Sequence, residues 1–117
     1  MLNEQKLLEG KIFFVDDEKC FSIGSRRLTQ SDVSSIAKLD EIVKILFYYI
    51  IFDSVDFSIF KGSKIKQFSF LHGNFSGEHL RQLGELGSLK AIQVLDTKIS
   101  DSDLALFKIN RPDIVFK

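Results

Sequence analysis

A repeat constrains this chain more than any other feature. When the sequence is set in rows so that Leu28, Phe52, Phe75 and Ile99 share a column, the spacings are 24, 23 and 24 residues. Apolar residues then recur at fixed distances from that column. Five residues on stand Val33, Phe57, Leu80 and Leu104, and eight on stand Ile36, Phe60, Leu83 and Phe107. Five back stand Ile23, Phe47, Phe70 and Val94, and seven back Phe21, Ile45, Phe68 and Ile92. Ten back, Ile42, Ile65 and Leu89 agree and only Glu18 departs. Twenty-three of these 24 positions are apolar in a chain that is 44% hydrophobic, so composition alone does not produce the period. Periods of about 20 to 50 residues mark stacked units, each unable to bury its apolar face singly.

The spacing inside a row assigns its elements. Residues two apart, such as Phe68 and Phe70 or Ile92 and Val94, share one face of a strand. Residues three apart, such as Leu80 and Leu83 or Leu104 and Phe107, share one face of a helix. Between them lie TQSD, DSVD, SGEH and SDSD, which supply the Ser, Thr and Asp that cap helix N-termini. Gly62, Gly84, Gly87 and Arg111-Pro112 punctuate the later helix ends. Each row therefore reads as strand, turn, helix, and stacking them gives an α/β fold with a parallel sheet along one side.

The rows IKQFSFLHGNFSGEHLRQLGELGS and LKAIQVLDTKISDSDLALFKINRP resemble leucine-rich repeats, whose pattern is L-x-x-L-x-L, a turn, an apolar residue and a helix or 3₁₀ segment. The last row, with TKISDSDLALF, is similar to the form of those repeats whose convex side is helical. The resemblance covers about residues 18 to 117. Phe and Ile stand where Leu is usual, the customary turn Asn is missing, and Asn74 lies one place late. It implies a short solenoid of about four repeats over residues 18–117; outside it, residues 1–17 read as an N-terminal cap with a short helix at Leu2 to Leu8 and a strand at Ile12 to Val15. General βα units are the structural alternative.

The run ILFYYIIF, residues 45 to 52, takes its meaning from this register. Ile45, Phe47 and Phe52 face the core, Leu46 and Tyr48 face out, and Ile50 and Ile51 are expected to pack in the turn that leads to the helix. The outward face of the sheet then carries Cys20, Ser22 and Gly24, followed by Lys44, Leu46 and Tyr48 in the second row. Gln67, Ser69 and Leu71 follow in the third row, and Ala91, Gln93 and Leu95 in the fourth. Leu46, Tyr48, Leu71 and Leu95 form an apolar patch with a polar margin, the kind of surface that marks an interaction site. Tyr48 and Tyr49 suit such a site, because tyrosine joins a large apolar ring to a polar tip. The partner-binding set is therefore Lys44, Leu46, Tyr48, Tyr49, Gln67, Ser69, Leu71, Gln93 and Leu95. The competing reading is that short apolar runs are simply core and that KIFFV, residues 11 to 15, pairs with the sheet and hides part of this face.

Other classes find less support. The apolar run is fenced by Lys44, Asp53 and Asp56 and is too short for a spanning helix, which needs roughly 18 apolar residues. MLNEQKLLEGK lacks the basic start and apolar stretch of a secretory signal, and one cysteine leaves no internal disulfide, so a cytoplasmic protein is expected. Sixteen basic residues balance sixteen acidic ones, which disfavours a general nucleic-acid binder. His72 and His79 belong to no metal spacing and read as surface polar residues in a turn and at a helix start. Asp16-Asp17-Glu18 ends a strand, Asp101 and Asp103 favour a helix N-terminus, and Cys20, exposed on the strand face, has no histidine in its row to activate it. No enzyme, cofactor or metal is expected. Lys19, Arg26-Arg27, Lys44 and Lys66 supply a basic rim suited to a partner with acidic edges.

Small, neutral and without a catalytic constellation, the chain resembles by type the immunity proteins that bacteria pair with contact-dependent or secreted toxins, many of them nucleases. The resemblance implies a non-catalytic inhibitor that occludes a cognate toxin's active site. The alternative is a leucine-rich-repeat adaptor or scaffold that recruits a protein without inhibiting it. The initial Met and the Glu18 departure in the first row favour a complete chain, whereas DIVFK reads as the start of a further strand with Phe116 inward. That edge predicts a monomer or a weak dimer.

Overall fold

Asp16 and Asp17 make the first turn. The structure, a computed structural model, describes residues 10–117, so the expected helix at Leu2 to Leu8 lies outside the described residues. Strand β1 (Lys11–Val15) pairs antiparallel with β2 (Glu18–Thr29), Val15 opposite Glu18, and both linking aspartates have positive φ. Two left-handed residues in a two-residue loop match the twist of the strands they join. KIFFV thus adds to the sheet at its edge.

From β2 onward every pairing is parallel. Helix α1 (Gln30–Ala37) leads to β3 (Lys44–Asp53), a 3₁₀ turn (Phe57–Phe60) to β4 (Gln67–Gly73), α2 (Gly77–Leu83) to β5 (Ala91–Leu95), and α3 (Asp101–Asn110) to β6 (Val115–Phe116). Spatial order equals chain order across the six strands. The register sets Phe21, Ile45, Phe68, Ile92 and Phe116 side by side, and Ile23, Phe47, Phe70 and Val94 likewise. Residues that share a sequence column are therefore neighbours in space. The helical segments follow the same order, α1 against the 3₁₀ turn, that turn against α2, and α2 against α3. The second row differs from expectation: its helix is a single 3₁₀ turn.

Each helical segment starts on a capping residue from the expected tetrapeptides. Thr29 Oγ1 accepts from the Asp32 N–H at 3.3 Å while Asp32 accepts from the Thr29 N–H at 2.9 Å. Asp56 accepts from the Ser58 N–H at 2.9 Å and Ser100 from the Asp103 N–H at 3.1 Å. In α2 the reciprocal bond comes from a histidine, the Ser76 N–H donating to His79 Nδ1 at 3.1 Å.

The core lies between the sheet and these segments. Phe47, Phe57, Phe60 and Phe68 are at most 1% exposed, and Phe57 has ring centroids of Phe47, Phe52, Phe60, Phe68, Phe70 and Phe75 within 6.2 Å. Two side chains tie neighbouring rows through backbone groups. Asn74 accepts from the Phe52 N–H at 2.7 Å and donates to the Phe52 carbonyl at 3.0 Å, so its place in the sequence suits a bond to the preceding row. Arg111, after α3, donates to the carbonyls of Gly84, Leu86 and Leu89 and pairs with Asp113. It braces the segment between α2 and β5.

One device was not read from the sequence. Ser25, Tyr49, His72 and Asp96 all have φ between 51° and 58°, at spacings of 24, 23 and 24 residues. Phe47 and Phe52 are five apart, and strict alternation would send them to opposite faces. The left-handed residue adds the one extra step that returns Phe52 to the core. Ile50 is buried as expected, but both isoleucines belong to β3 and not to a turn, and Ile51 is 40% exposed. His72 is likewise a strand residue of β4.

Candidate protein-binding face

The helical segments cover one face of the sheet, and alternation delivers the expected binding residues to the other. Across the strands three rows form. Lys44 lies beside Gln67 and Gln67 beside Ala91; Leu46 beside Ser69 and Ser69 beside Gln93; Tyr48 beside Leu71 and Leu71 beside Leu95. Strands are spaced about 4.8 Å apart, so side chains within a row touch or nearly touch. Apolar Leu46, Tyr48, Leu71 and Leu95 are thereby contiguous, and Leu95 is 48% exposed.

The polar part is already linked. Lys117 Nζ donates to Gln67 Oε1 at 3.1 Å, Gln67 Nε2 donates to Ser69 Oγ at 3.0 Å, and Ser69 Oγ donates to Gln93 Oε1 at 3.1 Å. Ser69 is only 9% exposed, so it orients the two glutamines and offers little surface itself. Tyr48 is half-buried: its ring lies across Gly24, where any Cβ would collide with it. A glycine at position 24 is what lets the ring lie flat on the sheet. Tyr49, at the left-handed position, is the more prominent of the pair at 54% exposed, and its ring meets His72 at 4.8 Å. His72 belongs to this surface and was not among the expected residues; its signal is its place one row after Tyr49.

Several expectations change. Cys20 is 2% exposed, covered beside Phe13 across the hairpin and Lys44 on the next strand. Burial raises its thiol pKa, which keeps it protonated and unreactive. His79 is no surface residue: half-buried, it stacks on Phe75 at 5.6 Å and approaches Phe52 and Phe57. Burial lowers its pKa, and its Nδ1 accepts from Ser76, so the neutral ring is the form the site holds. Cys20 on the open face and His79 in the core-facing layer do not converge. Among the described residues no three His, Cys, Asp or Glu side chains come together as a metal site needs.

The basic rim is partly neutralised within the chain. Lys44 Nζ stands 3.2 Å from Glu18 Oε1 and Lys66 Nζ 3.7 Å from Glu18 Oε2, while Arg27 pairs with Asp53 at 2.9 Å. A cleft of about 500 Å³ opens beside the face at the strand ends, lined by Ile51, His72, Asn74, Phe75, Asp96 and Lys98 among others. Comparison of the chain with protein families, with curated proteins and with solved structures finds no match. Among the described residues no helix is long and apolar enough to cross a membrane.

Proposed function

We propose that the chain is a short leucine-rich-repeat-like solenoid that binds a protein through its helix-free sheet face and neutralises it by occlusion, as an immunity protein does with a cognate bacterial toxin. The solenoid part is supported by the pairing of like columns strand by strand and by the left-handed residue recurring in every row. One observation carries the binding part: Leu46, Tyr48, Leu71 and Leu95 lie side by side on a face that no described helix covers, with a hydrogen-bonded polar row adjoining them. Such an apolar centre with a polar margin is the anatomy of a tight interface. Inhibition follows from a rigid surface covering a functional one, with no chemistry required of this chain.

The test is capture of the partner from native cells on the tagged protein, a high-salt wash, and an activity assay of what stays bound. The reading expects one tightly held protein whose toxic activity, a nuclease for example, falls when the chain is added. Leu71→Asp should release it while the chain stays folded. A partner whose activity is unchanged by the chain would favour the adaptor role; retention by Leu71→Asp would move the site off this face.

A further inference from the structure

Glu18 breaks a column otherwise filled by Ile42, Ile65 and Leu89, and its side chain is turned to a different use. Its two carboxylate oxygens reach two lysines that enter the sheet on different strands, Lys44 at the start of β3 and Lys66 just before β4. Alternation sets Lys11 and Lys44 on the same face of the sheet as Glu18, while Arg27 and Asp53, also outward, pair with each other at the far end of β2 and β3. Where Lys44 and Lys66 enter the sheet, one carboxylate therefore faces two ammonium groups, beside the exposed Asp16 and Asp17 of the hairpin turn.

We propose that the Lys44–Lys66 pair is a receptor for a carboxylate of an acidic protein segment, and that Glu18 occupies it as an internal stand-in until that segment arrives. The inference takes its location from the sheet-face reading above. The three side chains are 32% to 50% exposed, so the pairs are hydrated and cost little to exchange. A partner Glu or Asp enters as the Glu18 carboxylate swings into water, and the two ammonium groups change acceptor without becoming unpaired. The stand-in also confers selectivity, because a neutral segment offers nothing to replace it.

The test uses a labelled hexaglutamate peptide, with hexaglutamine as the uncharged control, titrated against the whole chain at low ionic strength, where such contacts are least screened. Glu18→Gln should bind hexaglutamate about tenfold more tightly than the parent, and Lys44→Gln in the Glu18→Gln background should return affinity to the parent level or below. Thermal unfolding of each variant within a few degrees of the parent establishes that the fold is kept. Equal affinity of parent and Glu18→Gln overturns the proposal, as does hexaglutamine binding as well as hexaglutamate. Tighter binding of an oligothymidylate of equal charge also overturns it, in favour of nucleic acid. No captured partner is needed, so failure here and failure of the occlusion reading are separate results.

Discussion

Ser25, Tyr49, His72 and Asp96 hold a backbone conformation that glycine adopts freely and that costs an L-residue about 1–2 kcal/mol. At Ser25 the side chain is exposed. Ser25→Gly should therefore raise stability by up to about 1 kcal/mol after the extra unfolded-state entropy of glycine is subtracted, visible as a higher denaturant midpoint at unchanged slope; a loss would show that the serine side chain contributes. Tyr49 and His72 differ, since their exposed rings pack against each other in a tilted arrangement. His79 sets a pH dependence. Its folded pKa is lowered from 6.5, so between the two values the unfolded chain binds a proton that the folded chain does not. Stability is full above pH 6.5 and falls as pH drops through that window. His79→Gln keeps an acceptor for the Ser76 N–H and removes the titration, so its stability should stay flat over the same range. A parent protein with no slope there would contradict the assignment. Further acid loss, below pH 3.8, falls to Asp56 and Asp113, whose pKa values hydrogen bonds lower.

Between elements, the rows are joined by groups whose role single positions do not announce. Asn74 matches both backbone groups of Phe52 with one amide, and Asn74→Ala leaves that N–H and carbonyl unpaired in a part-buried place. A loss of about 1–3 kcal/mol in equilibrium unfolding is expected, with Asn74→Asp also destabilised because a carboxylate cannot donate to the carbonyl. Legibility follows the same division. Strand faces and caps were readable, because alternation, three-residue spacing and Ser, Thr or Asp at a helix start are local signals. The strand that continues through Tyr49 was not, since neither tyrosine nor histidine announces a left-handed residue and the odd five-residue step between Phe47 and Phe52 reads as a turn. The helix of the second row shortened to 3₁₀ geometry for a related reason. FSIF offers two inward phenylalanines three apart, and that fills the space without a longer helix.

At the scale of the molecule, the sheet divides two environments. One side is a phenylalanine-rich core sealed by helical segments; the other holds the expected partner-binding residues in adjacent rows. Their grouping was legible because a fixed repeat makes register a matter of counting. What counting misses is how side chains spend their exposure: Ser69 and Tyr48 turn into the sheet, Cys20 is covered by the hairpin, and Glu18 satisfies lysines that read as free rim. The most direct test of the central claim is amide hydrogen exchange of the chain alone and in complex with its captured partner. The account predicts added protection concentrated in β3, β4 and β5 and around Tyr49 and His72, with α1, α2 and α3 unchanged. Protection confined to the helices, with the strands unchanged, would contradict it and move the binding surface to the opposite side of the molecule.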